Sequence, residues 1–165
     1  MGIERIIRHL TTGRPAVRSV FPAQSMRVIE QAIRETETRH AGQIRFAVEA
    51  SLELAALRRG QTASERALEI FSHLRVWDTE HNNGVLIYLL LADRDVEIVA
   101  DRGIHARLGS AVWTAISRDM EAAFKAGQFE AGVINGIVAV GEHLQHHFPK
   151  ISPASNELPD QVVVL

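Results

Sequence analysis

Asn82-Asn83-Gly84-Val85-Leu86-Ile87-Tyr88-Leu89-Leu90-Leu91-Ala92-Asp93-Arg94-Asp95-Val96-Glu97-Ile98-Val99-Ala100 is the stretch whose reading decides the fold. Val85 to Ala92 shows no polar alternation, the pattern of a strand covered on both faces, so helices must pack on each side of its sheet. The run is also about half of what a helix needs to cross a bilayer. Asp93-Arg94-Asp95 is a short polar turn, and Val96 to Ala100 alternates again, which predicts an antiparallel hairpin.

Upstream, Ile44, Phe46 and Val48 alternate with Gln43, Arg45 and Glu49, the period of a strand over 43–50 with one core face. Thr62 and Glu65 form a capping-box pattern ahead of Ala67, Ile70, Phe71 and Leu74, which predicts a helix from Ala63 to Val76. Strand, helix and strand then make a right-handed crossover with the two strands parallel. Earlier still, Met26, Ile29 and Ile33 share a helical face behind Pro22 and Ser25, running to about His40, and Gly42 stops it. Downstream, Val112, Ile116, Met120 and Phe124 form one apolar stripe ending at Gly127. Phe129, Val133, Ile137, Val140 and Leu144 form another. Gly132, Gly136 and Gly141 in that last helix are expected to let its backbone approach the sheet. The expected fold is α/β: a Rossmann-like three-layer α/β/α sandwich with a small mixed sheet and an extra N-terminal helix. Residues 1–22 read as a basic amphipathic arm, 23–150 as the domain, and 151–165 as a flexible tail because Ser152 to Asp160 carries Pro153, Pro159, Ser155 and Asn156.

A chain of 165 residues, 46% hydrophobic and 23% charged, suits one compact domain, and the absence of cysteine excludes disulfides, thiolate zinc sites and thiol chemistry. A net charge of −2 gives no global positive excess, which argues against nucleic acid as a partner. Charges interrupt the first apolar residues every few positions, unlike a secretory leader, so a cytoplasmic protein is expected. Residues 1–66 carry 11 basic and 7 acidic groups and residues 67–165 carry 7 and 13, so the halves are +4 and −6. Arg5, Arg8, Arg14 and Arg18 fall among Ile3, Ile6, Ile7 and Leu10, as in a short amphipathic helix. Such a helix would dock on an anionic membrane surface, placing the protein against the inner face of the membrane, or else pack on its own domain or a partner subunit.

The expected topology brings three chain junctions to one sheet edge: His40 and Gln43; Asp78, Glu80, His81, Asn82 and Asn83; and Asp101, Arg102 and His105. The opposite edge has mainly Asp93 and Asp95. Asp78, Glu80 and Asp101 with Asn82 or Asn83 offer the hard oxygen ligands that calcium or magnesium take. The plainer reading is that Asp78 and Asn82 bend or cap the loop and the other carboxylates are solvated. His81 and His105 are candidate acid–base groups, or ordinary surface histidines. His143, His146 and His147 have helical metal-binding spacing without an evident fourth ligand. Glu97 is expected in a solvent- or helix-facing ion pair. No Gly-x-Gly-x-x-Gly, Walker loop or Gly-x-Ser-x-Gly is present.

Gly42-Gln43-Ile44, Asn82-Asn83-Gly84-Val85-Leu86, Val96-Glu97-Ile98, Asp101-Arg102-Gly103-Ile104 and the segment Ala122 to Val133, with its Phe124, Gly127, Phe129 and Gly132 spacing, resemble the TPM domain family over about residues 25–148. The resemblance is to a short, bacterial-type member. It implies a Rossmann-like sandwich in a family that includes thylakoid-lumen proteins of photosystem repair, to which acid phosphatase activity and calcium binding have been ascribed, and others that look like accessory proteins. Many members also carry a signal peptide and a transmembrane or glycine-rich tail, neither of which is expected here. Trp77-Asp78-Thr79-Glu80-His81 is more acidic and less glycine-rich than the common pattern. Two functions follow: an interaction or assembly module with a divalent-cation site and an unnamed protein partner, or a metal-assisted phosphatase of phosphomonoesters. In the second, an ion at Asp78, Glu80 and Asp101 would activate water and His81 or His105 would protonate the leaving group. The sequence leaves the oligomeric state open.

Overall fold

The structure is a computed structural model that describes residues 2–151 and 156–165. Its sheet has the order β3-β2-β1-β4, with β1 (Gln43–Glu49), β2 (Gly84–Leu90), β3 (Asp95–Ala100) and β4 (Val163–Val164). β1 and β2 are parallel from Gln43↔Gly84 to Glu49↔Leu90, and β2 and β3 are antiparallel from Val85↔Ala100 to Leu90↔Asp95. Every residue of β1 and β2 is buried. Because successive strand side chains point to opposite faces, Val85, Ile87 and Leu89 enter one core and Leu86, Tyr88 and Leu90 the other.

The larger core is built from α2 (Arg14–Val20), α3 (Ala23–Glu37), α7 (Ala111–Lys125) and α8 (Phe129–His147), and holds Phe21, Ile33, Phe46, Phe124 and Ile137. α4 (Leu54–Arg58) and α5 (Ala63–His73) cover the other face around Leu57, Ala67 and Ile70. The expected α/β sandwich is therefore present. Thr62 and Glu65 complete their capping box: Glu65 N–H donates to Thr62 Oγ1 at 3.2 Å, and Thr62 N–H to Glu65 Oε2 at 2.9 Å. α5 stops short of the expected Val76 because Arg75, at φ 52°, turns the chain.

Two expectations are corrected, and one pair of alternatives is decided. The glycines of α8 serve helix–helix contact and not helix–sheet contact: a Cβ at Gly132 would meet Phe124 and Ala123, one at Gly136 would meet Met120, and one at Gly141 would meet Thr36. α8 lies between α7 and α3, and its glycine positions fall on the flanks that touch them. Of the alternatives for the arm, packing on its own domain is the one observed. α1 (Ile3–Thr11) turns Arg5, Arg8 and buried His9 onto Asp93, and Val17 and Phe21 of the next segment lie inside the main core. Finally, 156–165 is no loose tail. β4 pairs parallel to β1, Leu158 is buried, and Gln43 Oε1 accepts from Glu157 N–H and Leu158 N–H at 2.9 and 3.0 Å. Ser152, Pro153 and Ser155 of the expected tail lie outside the described residues.

Candidate functional site

The N-terminal ends of β1 and β2 and the C-terminal end of β3 do meet at one edge. Asp101 N–H donates to Gly84 O at 2.9 Å and Gln43 N–H to Asn83 O at 3.0 Å. Two glycines make that convergence possible: a Cβ on Gly84 would overlap the carbonyl of Val76, and one on Gly103 would sit 2.6 Å from Asn82 O. Asn83 is tied on two sides, its N–H donating to Thr79 Oγ1 at 3.0 Å and its Nδ2 to Ala41 O at 2.7 Å. Asn82 takes the left-handed conformation at φ 50°, which asparagine tolerates, and its Oδ1 accepts from Arg102 Nε at 3.1 Å. Asp101 caps α6 (Arg102–Leu108), Oδ1 accepting from Arg102 N–H at 2.7 Å.

These bonds leave two buried oxygens, Asn83 Oδ1 and Asp101 Oδ2, without a partner among the described residues. An orphaned buried acceptor costs about 1–3 kcal/mol, so both suit a bound cation or water. The remaining candidates are elsewhere. Asp78, Glu80 and His81 are exposed, and Glu80 touches His81 only at 4.0 Å. His105 lies on a groove beside β3. No group of three or more His, Asp or Glu placed to hold an ion occurs among the described residues, so the expected trio of Asp78, Glu80 and Asp101 is not assembled, nor is one from His143, His146 and His147. His143 instead stacks edge-on against Trp113.

Beside the same edge lies a polar cavity of about 250 Å³ lined by Glu37, His40, Gln43, Lys150 and Asp160, among others. Glu37 Oε1 accepts from Ile44 N–H at 2.7 Å, yet burial pushes its pKa up to about 8. Burial pushes His40 down to about 4, and its Nδ1 donates to Gly42 O at 3.0 Å, leaving Nε2 without a partner among the described residues. A neutral carboxylic acid and a neutral imidazole thus line one cavity at neutral pH. The sequence reading placed His40 and Gln43 here and missed Glu37, which looked like one more polar residue on a helix.

The opposite edge is organised by ion pairs. Asp93 receives Arg5 Nε at 2.9 Å, Arg8 Nη2 at 2.8 Å and His9 Nε2 at 3.1 Å. Leu52 N–H donates to His9 Nδ1, so Nε2 is the nitrogen left to face the carboxylate. Burial would raise Asp93, but the bonds from Arg8, Arg5 and His9 outweigh it and hold the carboxyl below its usual value. Arg66 also grips Glu49 through two bonds of 2.9 Å, and Tyr88 OH donates to the same carboxylate at 2.6 Å.

The family model described as TPM domain matches residues 18–143. The NMR structure of the BA42 protein from the psychrophilic bacterium Bizionia argentinensis is similar at 29% identity and a TM-score of 0.76, covering 88% of this chain and 95% of that one. The N-terminal domain of a P. gingivalis protein shares the fold at 21% identity and a TM-score of 0.62, covering 78% of this chain and 79% of that one. No curated protein matches.

Proposed function

Because the chain belongs to the TPM domain family, we propose that it works as a TPM-type interaction module that docks through the outward face of α1. One observation carries this reading: Ile3, Ile7 and Leu10, one helical face, are 72%, 54% and 66% exposed while Arg5 and Arg8 fasten the other face to Asp93. A helix pinned by its charged side presents its apolar side outward. Exposed Arg14 and Arg18 follow it along the chain, so an anionic bilayer fits, with apolar side chains at the acyl boundary and guanidinium groups at the headgroups. Such docking would hold the protein at the cytoplasmic face of a membrane. No helix among the described residues is long and apolar enough to cross one.

The test is sedimentation with phosphatidylglycerol and with phosphatidylcholine vesicles. The protein is expected to pellet with the anionic vesicles, and the triple variant I3S/I7S/L10S to stay in solution with an unchanged melting temperature. Equal pelleting of variant and parent would overturn the reading.

A second reading, the metal-assisted phosphatase, is supported by the unpartnered Asn83 Oδ1 and Asp101 Oδ2. Those two oxygens would hold calcium or magnesium, and the bound ion would supply Lewis acidity to a phosphoryl oxygen. Arg102 is exposed at the same edge for an anionic substrate, with His81 and His105 exposed as proton donors. Either ion should then raise the melting temperature and switch on hydrolysis of a phosphomonoester, and Asp101→Asn should remove both effects.

A further inference from the structure

β3 is an edge strand whose free side lies open in a groove of about 490 Å³ between α5 and α7. The register fixes which backbone groups face it. Asp101 N–H bonds to Gly84 O, so by alternation Val99, Glu97 and Asp95 also turn their N–H and C=O toward β2. Val96, Ile98 and Ala100 turn theirs away. Only Val96 N–H is taken, by Glu121 Oε1 at 3.2 Å; no group outside the sheet among the described residues accepts from Ile98 or Ala100.

The groove is chemically two-sided. Toward α5 it carries Asp95, Glu97 and the 57% exposed Leu68. Toward α7 it carries the apolar side of β3 and Trp113, whose buried indole N–H has no acceptor among the described residues. Glu121 stands between them. Asp95, Glu97 and Glu121 form no ion pair among the described residues, and the expected partner for Glu97 is not there. Burial first, and then mutual repulsion among these acids, holds Asp95 and Glu97 above the usual carboxylate range. Arg118 and His105 also line the groove, and three carboxylates outnumber them.

We infer that β3 accepts an extended basic segment of a partner protein as a fifth strand, main chain to Ile98 and Ala100, with Lys or Arg at alternate positions facing Asp95 and Glu97. Strand addition takes its affinity from backbone bonds and its selectivity from alternate side chains. Charge decides against a second copy of this chain as the occupant, since self-pairing would bring two sets of the same three carboxylates to one seam. The inference uses no part of α1 and stands whether or not the protein binds membranes.

The experiment titrates the full chain with three synthetic peptides: alternating Lys and Val, alternating Glu and Val, and a Lys–Val peptide of the same charge broken by prolines. Binding is followed by calorimetry and amide exchange. Only the unbroken Lys–Val peptide is expected to bind, with slowed exchange at Ile98 and Ala100. Glu97→Gln should weaken it by about two- to fivefold, the range of a half-exposed charge pair. Ile98→Pro should abolish it, because that N–H faces away from β2 and an edge strand tolerates proline there. Should Ile98→Pro fail to fold, Glu97→Lys gives the same decision by reversing the preference toward the Glu–Val peptide. Equal binding of the proline-broken peptide, no binding of any peptide, or protection of Ile98 by dimerisation in the absence of peptide would each overturn the proposal.

Discussion

The two edges of the sheet are finished in opposite ways. At β4 the C-terminal segment closes β1: Val162 N–H donates to Glu30 Oε1 at 3.1 Å, Leu165 N–H to Val48 O at 3.0 Å, and Arg45 to the Pro159 carbonyl. All seven residues of β1 are buried. At β3, of the amides that face away from β2, only that of Val96 is capped among the described residues, and every residue but Val96 is half-exposed. The ionisable groups follow the same division. Glu37 and His40, near the closed edge, are sealed in and held neutral, whereas Asp95, Glu97 and Glu121 crowd one another at the open edge. An exposed strand edge invites pairing with another chain, so covering one and leaving the other open gives the molecule a direction.

Removing the cover should have the largest effect. Deleting residues 156–165 takes away buried Leu158, uncaps Gln43 and Arg45, and exposes the edge of a strand built to be covered. A buried leucine and several backbone bonds together are worth about 4 kcal/mol. The truncated protein should lose that much stability in urea unfolding and should aggregate on concentration. A loss below about 1 kcal/mol would mean that the two edges do not differ in the way described.

That contrast was only half legible in the sequence. Val85 to Ala92 and the alternation from Val96 to Ala100 specify β2 and β3, because burial on two faces and on one face leave different periods. The closed edge leaves no such trace: β4 has two residues, and its partner β1 is more than a hundred residues away, so Pro153 and Pro159 read as a tail. Much the same holds for the arm. Ile3, Ile7 and Leu10 give a correct helix, but periodicity says nothing about which face turns inward, and that was settled by Asp93 in a distant turn. Asn83 and Asp101 did reach the expected edge, since strand topology alone brings them there. Asp78 and Glu80 did not join them: both side chains are exposed, and the loop is drawn toward the C-terminal segment, Glu80 N–H donating to Glu157 Oε2 at 2.8 Å.

A smaller effect tests the sealed acid. Glu37, with its pKa raised from 4.5 to about 8, contributes stability that is complete below pH 4.5 and is lost as pH rises through 8. His40, lowered from 6.5 to about 4, works in the other direction: its contribution is complete above pH 6.5 and is lost as pH falls through 4. Between pH 6.5 and 8 Glu37 therefore acts alone. Stability should fall across that window, by at most about 1.4 kcal/mol per pH unit. Glu37→Gln keeps an acceptor for Ile44 N–H and carries no charge, so its stability should stay level there and gain about 1.6 kcal/mol on the parent between pH 6.5 and pH 8. Parallel pH profiles for the two proteins would show that Glu37 is not held neutral.

The smallest effect belongs to the open edge and separates the two kinds of raised carboxyl. Glu97→Gln removes one charge from a crowd of three while leaving β3 paired to β2, so it should stabilise the protein by about 0.5 kcal/mol at pH 7. Its sign follows from the raised pKa: an acid destabilised in the folded state costs nothing below its unfolded pKa of about 4.5 and costs most once ionised. The gain should therefore vanish below pH 4. Salt then distinguishes the edges. Repulsion among half-exposed carboxylates is screened, so the share of the Glu97→Gln gain that crowding supplies should be lost in 1 M salt, where the Debye length is about 3 Å, while the share that burial supplies remains. Desolvation of a sealed carboxyl is not screened, and the gain from Glu37→Gln at pH 8 should persist. Urea unfolding of both variants at low and high salt measures the difference. If the Glu97 gain survives salt undiminished, burial alone governs that carboxyl, and the charge argument for a basic partner at β3 loses its footing.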